Sequence, residues 1–368
     1  MIIGVPAEIK VHEYRVGMTP AGVHEAVAHG HQVLVQTRAG MGIGCADTDY
    51  VRAGAEMVAD AESILGRAEL IIKVKEPQPT ECRLLRAGQI LFTYLHLAPD
   101  PVQADLLLAA GCTAIAYETV TDVHGALPLL APMSEIAGRM AIQVGATSLE
   151  KVHGGAGILL GGVPGVEPAR VVILGGGVVG TNALRVALGM GADVVVLDRS
   201  MHRLTELDTL YGPRLKTVFA TAEAIDHHIT QADLVIGAVL VPGATAPRLI
   251  NRQQLGRMKA GSVLVDVAID QGGCFETSRP TTHAEPTYVL DGIVHYCVAN
   301  MPGGVARTAT LALTNATLPY ILTIADKGWR RAALDDNFIA AGINVHAGNI
   351  VHPTVAAALG RTPVPPVY

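Results

Sequence analysis

A few polar side chains that follow short apolar runs have the types and spacing to do chemistry. Arg15 stands in His12-Glu13-Tyr14-Arg15-Val16, Lys75 in Ile71-Ile72-Lys73-Val74-Lys75-Glu76-Pro77, and His96 closes Phe92-Thr93-Tyr94-Leu95-His96. Further along, Asp270 closes Val265-Asp266-Val267-Ala268-Ile269-Asp270, and Asn300 follows Val298-Ala299. Ligands of open parallel sheets bind beyond the carboxyl ends of the strands, so these five positions form one candidate site. A guanidinium offers a planar fork to a carboxylate, and an ammonium offers a point charge. A histidine titrates near neutrality and can pass protons at working pH. Each residue also has a plainer reading. With 14 histidines in the chain, most are expected on the surface or satisfied in a core. Lys73 and Lys75 share facing parity in a strand, so one can be a solvated neighbour of the other. Asp266 can be a hydrogen-bonded core carboxylate, and Asp270 can cap the turn Gln271-Gly272-Gly273.

The second source of chemistry is a glycine loop. Val171-Val172-Ile173-Leu174 runs into Gly175-Gly176-Gly177-Val178-Val179-Gly180, a G-x-G-x-x-G directly after an apolar strand, and a helical pattern follows from Thr181. Gly175 permits the sharp turn, Gly177 lets the backbone approach a pyrophosphate, and Gly180 allows close helix–strand contact. Free N–H groups at the start of the helix face phosphate oxygens. Among 40 glycines such spacings also arise by chance, so the flanking strand and helix carry the argument. Asp198 ends the next apolar run, 18 residues after Gly180. A carboxylate there accepts hydrogen bonds from ribose hydroxyls and repels a 2′-phosphate, selecting NAD over NADP. The plain alternative is a surface Asp that caps a turn. Arg199 and Arg203 stand close enough in sequence to soften the discrimination.

These residues need a scaffold, and the rest of the chain describes one. The chain has 368 residues, half of them apolar, with 4% aromatic and 16% charged residues and a formal charge of −6. That length fits two domains with ample core, and it excludes a disordered or low-complexity protein. Mild acidity without a basic stripe argues against a nucleic-acid surface. Runs at 2–5, 33–36, 70–74, 90–94 and 113–117 alternate with helical stretches, one of them opened by the cap Thr19 and Pro20. A second series at 171–174, 194–197, 217–219, 234–238, 263–267 and 293–298 supplies the six strands of a dinucleotide-binding domain. Helices are expected at 181–190 and 252–259, with a long connector near 132–151 and a return helix through 311–327. The two domains are expected to hold the ligand between them. Residues 308–325 carry no charge, but five threonines, Asn315 and Pro319 favour a buried helix or helix pair over a membrane span. No secretory signal is visible, and five cysteines without a CxxC pair read as reduced thiols of a cytoplasmic protein.

Longer motifs are more specific than the glycine loop. Glu13-Tyr14-Arg15-Val16-Gly17-Met18-Thr19-Pro20, Gly161-Gly162-Val163-Pro164-Gly165-Val166, the segment 265–273 and Ala299-Asn300-Met301-Pro302-Gly303 together resemble the NAD-dependent L-alanine dehydrogenases, over essentially the whole chain. The resemblance implies an α/β fold of two domains, with a Rossmann-type dinucleotide domain at 129–305 inserted into a discontinuous flavodoxin-like substrate domain at 1–128 and 306–368. It also implies a cytoplasmic homohexamer with no metal and no membrane or nucleic-acid partner. The implied reaction is reversible oxidation of L-alanine to pyruvate and ammonium, by hydride transfer from Cα, an imine and a carbinolamine. In that reading Arg15 and Lys75 bind the substrate carboxylate, His96 and Asp270 are catalytic, and Tyr94 and Met133 limit the pocket to a small side chain. Asn300 completes the substrate group. Cofactor contacts fall on Ser134, the loop Gly175, Gly177, Val178, Val179 and Gly180, then Asp198, Arg203, Val239, Leu240, Ile269, Asp270, Val298 and Met301.

The chain departs from the family pattern at Ala7, commonly Lys, at Ala220, often Ser, and in the loop Gly303-Gly304-Val305-Ala306-Arg307-Thr308-Ala309, which more often has Pro at 306 and Ser at 309. These bear on cofactor affinity and loop rigidity, not on reaction class. The runner-up is the NAD-binding subunit of a proton-translocating transhydrogenase. A plain dinucleotide sensor or structural protein is the third reading, and it leaves Arg15, Lys75, His96 and Asp270 unexplained.

Overall fold

The computed structural model describes residues 1–239 and 246–366. The chain forms two compact units, Met1–Met133 with Gly303–Tyr368, and Ser134–Pro302. The first unit opens with strands β1 (Ile2–Val5), β2 (Gln32–Gln36), β3 (Glu56–Val58), β4 (Leu70–Ile72), β5 (Ile90–Thr93) and β6 (Thr113–Ala116). The second contributes β7 (Arg170–Leu174), β8 (Asp193–Asp198), β9 (Leu215–Phe219), β10 (Leu234–Gly237), β11 (Val263–Asp266), β12 (Thr287–Leu290) and β13 (Ile293–Tyr296). The chain then returns to the first unit with β14 (Ile343–His346) and β15 (Asn349–Ile350).

The sheet of the first unit runs β15-β14-β6-β5-β4-β1-β2-β3. Its six N-terminal strands pair in parallel, and β14 and β15 close one edge antiparallel. Without the three-residue edge strand β3, the parallel order is the 2-1-3-4-5 of a flavodoxin-like sheet. Strands β4, β5 and β6 are buried at every residue, as parallel strands covered by helices on both faces must be. The second sheet runs β12-β13-β11-β10-β7-β8-β9, which is the Rossmann order 3-2-1-4-5-6 with β12 added antiparallel at the edge. In both sheets the strand order reverses once, between β1 and β4 in the first and between β7 and β10 in the second. Crevices at such switch points receive ligands.

Several helices start where the sequence says. The Thr19 hydroxyl accepts the Gly22 N–H at 3.3 Å, and Pro20 occupies the first turn of Pro20–Ala28. The connector is the helix Ala131–Ser148, followed by a short turn at Lys151–His153. The uncharged 308–325 stretch lies in one helix, Ala306–Lys327, and not in a pair. Pro319 sits inside it, and the Thr314 and Thr323 hydroxyls donate back to the carbonyls of Thr310 and Pro319, each at 2.8 Å. No helix among the described residues is long and apolar enough to cross a membrane.

Other expectations need correction. The 252–259 helix is only Arg252–Leu255, stopped at Gly256. The run 70–74 is a strand only over Leu70–Ile72, so Lys73 and Lys75 lie beyond β4, although the Lys73 N–H still donates to the Phe92 carbonyl at 3.3 Å. Strands β3, β12, β14 and β15 add to the expected series; two to four residues are too few to display an alternation in sequence.

Candidate active site

The carboxyl ends of β1, β4, β5 and β6 gather the polar groups of the first unit. Past β1, Glu8 Oε1 accepts the Val74 N–H at 2.6 Å and the Lys75 N–H at 3.4 Å. Its other oxygen meets Lys73 Nζ at 3.1 Å, and Glu81 meets the same ammonium at 2.8 Å. Lys73 is therefore a buried ion-paired residue and not a solvated neighbour of Lys75. Burial pulls its pKa down, but the Glu8 and Glu81 carboxylates outweigh that and hold it above the usual lysine value. Thr93 Oγ1 donates to the Lys75 carbonyl at 3.0 Å, and Tyr117 donates its hydroxyl to the Lys73 carbonyl at 3.0 Å. This frame fixes the backbone that carries Lys75. The Lys75 side chain is nearly buried and has no hydrogen bond or ion pair among the described residues. Its neighbour Glu76 feels the charge through space but pairs with Lys10.

Arg15 is 2% exposed. Its Nε and Nη2 donate to the two oxygens of Glu13 at 2.6 and 2.5 Å, while Nη1 points to Met133 Sδ at 3.1 Å. Desolvation works against the charge, yet Glu13 overcomes it and raises the guanidinium pKa. Glu13 thus orients the fork along one edge and leaves a thioether, a weak acceptor, at Nη1. Tyr94 is buried and donates its hydroxyl to the Leu129 carbonyl at 2.6 Å. His96 stacks on the Tyr94 ring, with centroids 5.8 Å apart and planes 5° apart. Its backbone is left-handed, φ +50°, a conformation that costs a non-glycine residue about 1–3 kcal/mol and concentrates at functional sites.

In the second unit, β7 turns through Gly175 at φ +104° into the helix Val178–Gly189. A Cβ on Gly180 would stand 1.8 Å from the Gly175 carbonyl oxygen, so only glycine closes this turn. A Cβ on Gly177 would meet nothing within 4 Å, and Gly177 caps the helix without any side-chain acceptor for its first N–H groups. The loop is tight where it folds and open where an anion would sit. Asp198 ends β8, with its Oδ2 accepting the Gly176 N–H at 2.6 Å and Oδ1 the Ser200 N–H at 2.7 Å. Arg203 donates to the Gly176 carbonyl at 2.6 Å, to Thr181 Oγ1 at 2.5 Å and to Glu206 at 2.6 Å. Its fork is engaged on this loop and on its own helix, while Arg199 is exposed.

The remaining positions of this unit follow the same sheet ends. Asp270 is exposed in the short turn Val267–Gln271, and the capping is done by Asp266, whose Oδ1 accepts the Ala268 N–H at 3.1 Å. Asp266 is a core carboxylate, fully buried and also held by Ser278 at 2.5 Å and by the Cys274 N–H at 2.9 Å. Asn300 is left-handed at φ +62°, and its carbonyl meets His283 Nε2 at 3.2 Å. Ile269, Val298 and Met301 are buried, and Ser134 and Val239 are half-buried. Leu240 lies outside the described residues.

Family models described as "Alanine dehydrogenase/PNT, N-terminal domain" and "Alanine dehydrogenase/PNT, C-terminal domain" match residues 4–137 and 141–353. The chain belongs to the alanine dehydrogenase/PNT family. It is 63% identical over 360 residues to the alanine dehydrogenase of Halomonas elongata, across 98% of this chain and 97% of the relative. It is 53% identical over 366 residues to that of Bacillus subtilis, across 99% and 96%. A solved L-alanine dehydrogenase superposes with a TM-score of 0.95 at 51% identity, covering 98% of this chain and 99% of that one. A transhydrogenase from Sinorhizobium meliloti superposes at 0.82 with 25% identity, covering 96% and 99%.

For this member of the alanine dehydrogenase/PNT family, Arg15, Lys75, Tyr94, His96 and Met133 all lie in the first unit, and Asp270, Asn300 and the glycine loop in the second. The sequence pattern did not single out Glu8, Glu13, Glu81 or Glu118. Glu118 lies two residues past β6, so the rule that singled out His96 after β5 also points to it. Glu8 likewise stands three residues past β1, as His96 does past β5, whereas Glu13 had no such signal.

Proposed function

We propose that this chain catalyses the reversible oxidative deamination of L-alanine to pyruvate and ammonium with NAD, as a cytoplasmic homohexamer. The observations that carry the reading are a buried Arg15 oriented by Glu13 and a nearly buried Lys75 whose side chain has no hydrogen bond or ion pair among the described residues, in the same unit as His96. Relatives at 52–63% identity named alanine dehydrogenase favour it over the hydride-transferring subunit of a transhydrogenase.

The residues of the second unit fit a dinucleotide. Gly177 and the helix start at Val178 and Val179 offer backbone donors to a pyrophosphate, while Gly175 and Gly180 keep the turn tight. Asp198 would hold the ribose hydroxyls, with Ser134, Arg203, Val239, Leu240, Ile269, Val298 and Met301 as further contacts. When bound, NAD supplies the hydride acceptor. Arg203 has three of its five N–H groups engaged by Gly176, Thr181 and Glu206, which fixes its fork beside the loop.

On the substrate side, a carboxylate is a stronger acceptor than the Met133 thioether and displaces it at Arg15 Nη1. Lys75 neutralises the same carboxylate or polarises the carbonyl oxygen of pyruvate. Loss of hydride from Cα leaves an imine, to which water adds to give a carbinolamine. His96 takes the proton from that water and hands it to the carbinolamine nitrogen, then accepts the hydroxyl proton as the C–N bond breaks and ammonia leaves. Asp270 stabilises the cationic imine and the departing ammonium, and Asn300 orients the substrate. Tyr94 and Met133 confine the side chain to about a methyl group.

The test is NADH oxidation by the purified protein. Oxidation that needs both pyruvate and ammonium is expected. Oxidation with pyruvate alone would indicate hydroxy-acid chemistry, and none with either would overturn the reading. Light scattering should give six times the 38.4 kDa chain mass.

A further inference from the structure

The strained backbone of His96 has a definite cause. The N–H groups of Leu95 and His96 both donate to the Glu118 carboxylate: Leu95 at 3.2 Å to each oxygen, His96 at 2.6 Å to Oε1. Successive N–H groups beside a left-handed residue form a small anion-binding concavity, and here the anion is a side chain of the protein. Glu118 reaches it because β5 and β6 pair in parallel, Thr93 opposite Ala116, so the turn Tyr117–Thr119 runs beside the segment that carries His96. Glu118 is only 15% exposed at its side chain, whereas His96 is 43% exposed. The same Oε1 stands 3.9 Å from His96 Nδ1. The imidazole is therefore bounded on one face by Tyr94 and along one edge by Glu118.

We infer that Glu118 is a positioning residue for His96: its carboxylate holds the Leu95–His96 turn left-handed and sets the edge of the imidazole, so that Nε2 is aimed at the reacting oxygen. An exposed histidine on an unbraced turn would sample many rotamers, and proton transfer needs one. A carboxylate suits the role better than an amide. It is acceptor-only on both oxygens, and three N–H···O contacts converge on it.

The inference rests on the dehydrogenase reading, and the experiment separates the two. Wild type, Glu118→Ala and Glu118→Gln are compared in NADH oxidation with pyruvate and ammonium, alongside NADH affinity by fluorescence. Glu118→Ala is expected to lower kcat by about 10²-fold, inside the range that general acid–base help supplies, with NADH affinity unchanged. Glu118→Gln keeps one acceptor oxygen and should fall between Glu118→Ala and wild type. In both variants the solvent isotope effect on kcat should grow, and the effect of deuterated NADH should shrink, as proton transfer through His96 becomes limiting. Wild-type kcat in both variants would overturn the inference. So would a loss of kcat with isotope effects unchanged and NADH binding weakened in proportion, which marks a structural role only. If Glu118→Ala does not fold, the isosteric Glu118→Gln carries the test alone. An inactive wild type would refute the dehydrogenase reading instead, which the unsubstituted protein reports by itself.

Discussion

At the scale of single residues, the first unit sorts its charges by whether or not they form ion pairs with one another. Lys73 has two carboxylates and Arg15 has Glu13, whereas the Lys75 ammonium has no ion pair among the described residues. Buried ammonium groups without an ion pair are costly, and the substrate carboxylate proposed to bind Lys75 would offset that cost. His96 stands apart from a core histidine such as His295, which is fully buried, bonded to Thr277 at 2.9 Å and to the Ile293 carbonyl at 3.1 Å, and pushed below the usual pKa by desolvation. His96→Ala should therefore lower turnover by about 10²–10⁴-fold while leaving NADH binding intact. Paired measurements of kcat and of NADH fluorescence check this, and near-normal turnover would remove His96 from the mechanism.

Two elements carry the consequences of tight packing. In the turn between β7 and its helix, the Cβ of Gly180→Ala would meet a backbone oxygen that cannot move aside. The substitution should cost about 1–3 kcal/mol of stability. It should also weaken NADH binding, about tenfold for each 1.4 kcal/mol by which the displaced loop holds the phosphates less well. Thermal unfolding with and without NADH measures both, and an unchanged affinity would mean that the loop does not hold the phosphates. The segment after β4 depends on Lys73. Because its folded pKa is raised, its contribution is fully present below the unfolded lysine value, about 10.4, and is lost as pH rises through the folded one. Urea midpoints should therefore drop above about pH 10 in the wild type. They should drop less steeply in Lys73→Met, which should already be destabilised by about 3–5 kcal/mol at neutral pH through its two orphaned carboxylates. An equal alkaline slope in both proteins would show that Lys73 is not the group responsible.

Across the whole molecule, each of the two sheets reverses its strand order once, and each reversal is flanked by residues that follow strand ends. The loop Gly175–Gly180 with Val239 marks one, and Glu8 with Lys75 the other. Each sheet also ends in antiparallel strands, β14 and β15 in one and β12 in the other, which end the row of parallel pairs. All five cysteines are unpaired, and burial lifts the thiols of Cys82 and Cys112 to about 12, so they act as small core residues and not as nucleophiles.

By itself the sequence determined the βα repetition, the position of both major strand series, the glycine loop and the residues at the strand ends. Those are local signals: apolar periodicity, caps, and glycines where a turn admits nothing else. Thr19 and Gly180 could be assigned because each acts within its own turn. Only the tertiary structure decided which charges are spent inside the protein. Lys73 and Lys75 are two residues apart and chemically identical in sequence, yet one is neutralised by Glu8 and Glu81 and the other is not. The partners lie 65 residues before Lys73 and 8 after it. Glu118, likewise, meets His96 across a strand pair that no local pattern encodes. Pairing of charges depends on distance in space, and the fold alone sets that distance.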